Sequence, residues 1–216
     1  MNTKLIAIGQ LLGFYGLLLY LGGPIARLTP HLYLLAAIGV CALIYQPAFQ
    51  TFDKGTDRDR GTARQILWTI QITQTAGHLE AVFYWSPACF DWTVITSVGL
   101  AIATLGLAIR TWAVLHLGSA FTWHIDPEQA QELITTGPFR MVRHPSYTGA
   151  FCLYAGSLLL LQAYFSLALA VVAMPIAFRR RIRLEEQALE ETFQDQYRAY
   201  CQRVGAVIPG LGRRKP

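Results

Sequence analysis

The sequence predicts an all-α, polytopic membrane helical bundle of about six spans, with a short C-terminal helical hairpin followed by a cytoplasmic amphipathic helix. Three observations predict it. Of the 216 residues, 53% are apolar and only 14% charged, against roughly 25% charged in a soluble domain. Apolar runs of membrane-crossing length alternate with short polar connections. The 18 Lys and Arg are sorted between alternate connections, as the positive-inside rule requires.

The first span is Leu5 to Leu21, apolar apart from Gln10. No small-residue cleavage site closes it, so it reads as a span rather than a signal peptide. Gly9-x-x-x-Gly13 and Gly16 on it suit close contact with a neighbouring helix or a dimer partner. The second span is Leu32 to Phe49, after the breaker Thr29-Pro30. Thr51 to Arg64 then carries Asp53, Asp57 and Asp59 among Lys54, Arg58, Arg60 and Arg64. The interleaved cations argue for a solvated loop rather than a divalent-cation site.

The third span, Gln65 to Trp85, is the least apolar. Gln71, Gln74, Thr75 and His78 share one helix face, and Glu80 is nearby. In hydrocarbon such a face must meet protein or water; interhelical hydrogen bonding is favoured over a cavity wall. Ser86-Pro87 ends the span. Trp92 to Leu115 is the fourth, with Gly99 and Gly106 seven apart and Arg110 near enough to its C-terminal end to snorkel. In the following connection, Asp126-Pro127-Glu128 has the form of a helix start, predicting a short surface helix to about Ile134.

Ala150 to Phe178 is 29 residues of apolar sequence, about 44 Å as one helix. That is long for a hydrocarbon core of roughly 30 Å. Gln162 near its middle predicts a hairpin of two short or tilted helices, Tyr147–Leu161 and Ala163–Phe178, with Pro175 bending the second. With six spans and a cytoplasmic N-terminus, the outer connections hold one basic residue, Arg27, and the other 17 of the 18 lie at or near the cytoplasmic side. A single tilted span in place of the hairpin would move the Arg179–Arg183 cluster outside, so the charges select the hairpin. Arg179 to Val204 reads as a helix beyond the membrane. Ile182, Leu189, Phe193, Tyr197, Tyr200 and Val204 share its apolar face; Glu186 falls on that face and Glu185 on its flank. Ile208-Pro209-Gly210 ends the order, leaving a loose basic tail.

This composition excludes several classes. Cys41, Cys89, Cys152 and Cys201 are widely spaced, with no C-x-x-C pair and no close Cys/His grouping, so neither a metal site nor a disulfide framework is indicated. The net charge of +5 is explained by topology beside apolar runs, not by nucleic acid. The expected partner is the lipid bilayer. On the six-span topology both termini and the Arg143-His144 and Glu185-Glu186 stretches lie at the cytoplasmic face. Arginines there suit an anionic group, carboxylates an amine or a ribose diol, and Phe139, Tyr147, Trp112 and Trp123 a base. Contact with lipid headgroups is the competing account of the arginines.

The spaced pair of motifs carries a family likeness. Gly137-Pro138-Phe139-x-x-x-Arg143-His144-Pro145-Ser146-Tyr147-x-Gly149, followed by Arg183-x-Glu185-Glu186-x-x-Leu189-x-x-x-Phe193-x-x-x-Tyr197-x-x-Tyr200, closely resembles the isoprenylcysteine carboxyl methyltransferase family, which belongs with the membrane phospholipid methyltransferases. Leu117-Gly118-x-x-Phe121 and Ile208-Pro209 also fit. The resemblance covers roughly Leu100 to Pro209 and divides the chain into amino-terminal transmembrane helices of unassigned role, 1–99, and a methyltransferase core, 100–216. It implies S-adenosylmethionine as methyl donor, held by His144, Pro145, Tyr147, Gly149, Glu185 and Glu186. Arg143 and Arg183 would order the site or grip an anionic acceptor, and with Glu186 would form the catalytic set. Two residues depart from the family pattern. Gln194 follows Phe193 where glycine is frequent, which predicts a straighter helix, and Phe139 stands where tyrosine is frequent. No glycine-rich nucleotide loop of the soluble kind is present, so no Rossmann domain is expected.

A carboxylate acceptor is already ionised at neutral pH and needs no general base; an amine would have to lose a proton first. The surplus of arginine favours carboxyl O-methylation of an isoprenylcysteine-like acceptor, entering from the bilayer while the cofactor enters from the cytoplasm. N-methylation of a phospholipid amine or S-methylation of a small thiol is the alternative within the class. A non-enzymatic transporter or sensor using the polar third span is the alternative outside it.

Overall fold

The computed structural model describes residues 3–28, 30–46, 57–84, 91–121, 123 and 132–214. All regular structure among them is helical: α1 (Thr3–Leu21), α2 (Gly23–Leu28), α3 (Pro30–Tyr45), α4 (Thr62–Leu79), α5 (Val94–Leu117), α6 (Pro145–Leu160) and α7 (Tyr164–Arg203). Two of the described helices are long and apolar enough to cross a membrane, Thr3–Leu21 and the stretch Val94–Ala120; Pro30–Tyr45 is a shorter apolar helix. The short α2 has no counterpart in the sequence reading. Pro30 opens α3 rather than breaking the chain, because a proline's missing N–H costs nothing in a first helical turn.

The tightest contact is α5 against α6. A Cβ added at Gly106 would lie 2.2 Å from the Leu153 nitrogen, and one at Gly149 2.6 Å from the Arg110 nitrogen. Gly99 and Gly156 meet the opposite backbone in the same way. The two seven-residue glycine pairs therefore face each other and bring the backbones into direct contact, the small-residue packing used between membrane helices. The core lies between this pair, α4 and the first half of α7, with Leu158, Leu160, Leu161, Ala170 and Met174 fully buried.

The turn between α6 and α7 falls where Gln162 predicts it, and Gln162 has φ +52°. The structure adds what holds it. The chain after α4 makes one π-helical turn, Glu80–Tyr84, and the Glu80 carboxylate caps the start of α7. Its oxygens accept from the Phe165 N–H at 3.0 Å, the Ser166 N–H at 2.9 Å and the Ser166 hydroxyl at 2.7 Å. A negative group at a helix N-terminus is stabilising, and the orphan donors there need an acceptor. Part of the polar face of α4 is used between helices: Gln74 donates to the Tyr154 carbonyl at 3.2 Å, whereas the exposed Gln71 donates to Thr75 within α4. The His78 Nδ1 lies 2.7 Å from the Gln74 carbonyl, which only accepts, so Nδ1 carries the proton and Nε2 accepts from the Tyr15 hydroxyl at 3.0 Å.

Four expectations change. The loop before α4 is not wholly solvated: Asp59 is 2% exposed and pairs with Arg181, while Asp53 and Lys54 lie outside the described residues. The helix start at Asp126–Glu128 also lies outside them, and Glu132 to Thr136 carries no helix. The second hairpin arm and the amphipathic helix are one 40-residue helix, α7, and its one non-helical residue is Gln194 (φ 45°, ψ −118°). The chain thus bends at Gln194, although a side chain is disfavoured there. The tail is not loose as far as Arg214. It turns back on itself through Leu211 N–H to the Ile208 carbonyl at 3.0 Å, and Arg214 N–H returns to the Cys201 carbonyl at 3.1 Å.

The strain at Gln194 generates a prediction. Gln194→Gly should raise the melting temperature in detergent, because a non-glycine residue held in such a backbone region costs of order 1–3 kcal/mol. Gln194→Ala keeps the strain and should give no gain; equal melting of all three proteins would show that the bend is unstrained.

Candidate active site

The helices converge on a cavity of about 200 Å³. Its wall is built by register. From α4 come Ala63, Ile66, Leu67 and Ile70, one helix face. From α6 come Tyr147, Ala150 and Tyr154, and from α7 Phe178, Arg181 and Glu185. Arg110 and Leu117 come from α5, and Phe121, Trp123 and Phe139 from the connections that follow. Since α4 and α6 run one way and α7 the other, one end of the cavity is polar, with Arg143, His144, Ser146, Arg181 and Glu185, and the other apolar, with Ile70, Tyr154 and Phe178.

The polar end is organised by Arg143. Its Nε and Nη2 donate to the Glu186 Oε1 at 2.9 and 2.7 Å. Its Nη1 donates to the carbonyls of Val204 at 2.5 Å, Gly212 at 3.3 Å and Cys201 at 3.4 Å. The backbone adds two bonds, Arg143 N–H to the Gly205 carbonyl at 2.8 Å and His144 N–H to the Ala206 carbonyl at 2.9 Å. The Thr148 hydroxyl donates to the Val207 carbonyl at 2.7 Å. The bend at Gln194 lets the end of α7 reach this arginine: Tyr197, Tyr200 and Cys201 form a second buried cluster, and the Tyr200 hydroxyl donates to the Phe139 carbonyl at 2.6 Å.

The predicted residues fall into two groups. His144, Pro145, Tyr147, Arg143 and Glu185 line the cavity. Glu186 stands behind it as the shared partner of Arg143 and of the His144 Nε2, the latter at 3.1 Å. Gly149 lies in the α5–α6 contact. Arg183 is exposed and outside the lining; two residues earlier Arg181 is buried and lines it, paired with Asp59 and donating to the Trp123 carbonyl at 2.8 Å. Trp112 is 48% exposed and does not reach the cavity, whereas Trp123 does.

Arg110 departs most from the sequence reading. It does not snorkel: it is 8% exposed. Its Nε donates to the Gln46 Oε1 at 2.8 Å, its Nη1 to the Ser146 hydroxyl at 2.9 Å and carbonyl at 3.2 Å, and its guanidinium carbon lies 5.7 Å from the centre of the Trp123 ring. Each partner is neutral. Of the three arginines lining the cavity, Arg143 has Glu186 and Arg181 has Asp59, while Arg110 has no carboxylate of its own among the described residues. No local signal separates it from a snorkelling arginine; its heptad position beside Gly106 and Gly99 was the available hint.

Burial alone would raise the Glu186 pKa, but His144 and Arg143, by hydrogen bond and charge, hold it down to about 2. A carboxylate depressed on folding contributes stability that is present above its ordinary pKa, near 4.5, and is lost as pH falls through the folded value. Glu186→Gln should therefore lower the melting temperature by a constant amount from about pH 7 to about pH 5, and that difference should shrink as pH falls below about 4.5 towards 2. Thermal denaturation of the two proteins across that range checks it; a difference that persists unchanged at the acid end would deny Glu186 an ionic role.

The model of the isoprenylcysteine carboxyl methyltransferase (ICMT) family matches residues 98–191. A probable protein-S-isoprenylcysteine O-methyltransferase of Oryza sativa subsp. indica is 31% identical over 68% of this chain and 77% of its own length. The protein-S-isoprenylcysteine O-methyltransferase of Tribolium castaneum is 27% identical over 96% of this chain and 77% of its own. The solved structure of a eukaryotic intramembrane Ras methyltransferase, isoprenylcysteine carboxyl methyltransferase, superposes with a TM-score of 0.66 at 26% identity, covering 94% of this chain and 76% of that one. Matched in its motifs and along nearly its full length in its fold, the chain belongs to the isoprenylcysteine carboxyl methyltransferase family, as a membrane methyltransferase of that type.

Proposed function

We propose that the protein uses S-adenosylmethionine to methylate the carboxylate of an isoprenylcysteine-like or other lipidic acceptor. The single observation that carries this reading is Arg110: a buried guanidinium on the cavity wall whose partners among the described residues are all neutral. A buried charge without a counter-ion is costly, and an anionic substrate group would supply the missing partner in a charge-assisted pair. The Arg110 backbone packs against Gly149, and its guanidinium reaches Ser146 at the polar end of a cavity whose other end, at Tyr154, is apolar. An acceptor with a carboxylate on an apolar chain matches that gradient.

The residues present fit the cofactor. The Glu185 Oε2 accepts no hydrogen bond among the described residues and lies 3.8 Å from the His144 Nδ1, and the carboxylate lines the polar end. An acceptor oxygen with a hydrogen bond still to take there suits an ammonium or a ribose diol. Phe121, Trp123 and Phe139 provide aromatic surface for a base. His144, Pro145 and Tyr147 complete that end, with Glu186 and Arg143 holding His144 and the α6 start in place. When bound, S-adenosylmethionine would supply a sulfonium-activated methyl for in-line attack by a carboxylate oxygen, the carbon–sulfur bond breaking as the carbon–oxygen bond forms, to give a methyl ester and a neutral thioether. Arg110 would orient the carboxylate, and the apolar wall would keep water from it; alignment and desolvation are the main requirements of such a transfer. No side chain has to take a proton, since the acceptor is ionised at neutral pH.

The membrane arrangement is part of the proposal: about six spans, formed by α1, α3, α4, α5, α6 and the first half of α7, with the polar end of the cavity on the cytoplasmic side. The charge sorting and the apolar surfaces of α1, α5 and α7 support it.

Membranes containing the protein should transfer labelled methyl from S-adenosylmethionine to a prenylcysteine-like acid, and mild base should release the label as methanol; base-stable label would overturn the ester and point to nitrogen or sulfur. Glu185→Gln should weaken S-adenosylhomocysteine binding by roughly tenfold or more at unchanged melting temperature. Arg110→Gln should raise the KM for the carboxylate acceptor by a similar factor and leave S-adenosylhomocysteine binding within about twofold; an unchanged KM would remove Arg110 from acceptor recognition.

A further inference from the structure

We propose that Gln46, in the amino-terminal part of the chain, is a positioning residue for acceptor recognition: a neutral amide that fixes the Arg110 guanidinium without quenching its charge. The proposal rests on the carboxylate-acceptor reading above. Gln46 directly follows α3, its N–H still bonded to the Ala42 carbonyl at 2.9 Å, and is 9% exposed. Its Oε1 accepts from the Arg110 Nε at 2.8 Å. An Nε–H only donates, so the amide has one possible orientation. That orientation leaves the Gln46 Nε2 buried with no hydrogen-bond partner among the described residues, which is destabilising.

A glutamate has the same length and shape. It would accept the same bond, leave no donor stranded and form a charge-assisted pair. On stability alone glutamate is the better neighbour for a buried guanidinium, and the cavity uses that solution at Arg143 with Glu186 and at Arg181 with Asp59. At Arg110 the chain has the less stable choice. What the amide preserves is the charge. With Nε held by Gln46 and Nη1 by Ser146, Nη2 makes no hydrogen bond among the described residues and is the edge left for an anion.

The test uses the purified full-length protein in detergent. Two probes are bound in the presence of S-adenosylhomocysteine: N-acetyl-S-farnesylcysteine, which carries the carboxylate, and its carboxamide. The wild type should bind the acid at least about tenfold more tightly than the amide. Gln46→Glu should melt no lower than the wild type, bind S-adenosylhomocysteine within about twofold, and lose most of the preference for the acid. A merely structural role would weaken both probes alike and lower the melting temperature. Gln46→Met leaves the Arg110 charge uncompensated but unheld; it should keep the preference while weakening binding of the acid several-fold. If Gln46→Glu keeps the full preference, or Gln46→Met binds the acid as well as the wild type, the positioning role is overturned. If the wild type has no preference and Arg110→Gln changes nothing, the carboxylate reading itself fails, an outcome distinct from either result at Gln46.

Discussion

The guanidinium of Arg143 is the constraint on which the rest of the site depends. It meets one carboxylate and three backbone carbonyls, from Glu186, Cys201, Val204 and Gly212. These groups come from the middle of α7, its end and the segment beyond. Only a planar group with several fixed donors can satisfy acceptors in so many directions. Each bond is charge-assisted and partly shielded from water, where such bonds are stronger. By gathering them, Arg143 sets the start of α6 against α7 and draws the C-terminal segment across the pair. His144, one residue on, is thereby brought between Glu186 and the cavity. The arginine lines the cavity while its charge is already matched by Glu186.

Seen together, the three arginines of the cavity divide two tasks by the charge of their neighbours. Arg143 and Arg181 each have a carboxylate and serve as joints, the first between α6 and α7, the second between α7 and the loop at Asp59. Arg110 has an amide, a hydroxyl, a carbonyl and an aromatic face. In a poorly polarisable environment the field of such a cation is far less attenuated than in water, so Arg110 and the Glu185 carboxylate, rather than the two arginines already paired, set the charges that a ligand in the cavity would meet.

The glycine contact between α5 and α6 is what makes Arg110 available. Backbones that touch leave no room for side chains between them, so Arg110 at the edge of the contact extends along α6 to Ser146 instead of outward. The Gln194 bend plays the matching part on the other side. A straight α7 would carry Cys201 and Val204 past Arg143, and the positive φ turns them back. The structure accepts local strain there for a set of tertiary bonds, a common pattern near functional sites.

Composition and periodicity determined much by themselves: the all-α class, the turn at Gln162, and the apolar positions Leu189, Phe193, Tyr197 and Tyr200 that pack together at the end of α7, although Ile182 packs with the main core instead. These are local properties, set by which residues lie three or four apart and by the cost of polar groups in an apolar run. Only the tertiary structure decided which charges are matched. Arg181 and Arg183 are two apart on one helix, and the sequence pattern does not say which turns inward to meet Asp59, more than a hundred residues away. Arg110 near a helix end reads as a snorkelling residue until Gln46 and Trp123 are seen to enclose it, and Gln194 reads as a straight helix until the bonds to Arg143 are seen to require the bend. The physical reason is the same in each case. The energy of a buried charge is set by its neighbours in space, and those neighbours come from helices whose relative placement depends on backbone contacts such as those at Gly106 and Gly149.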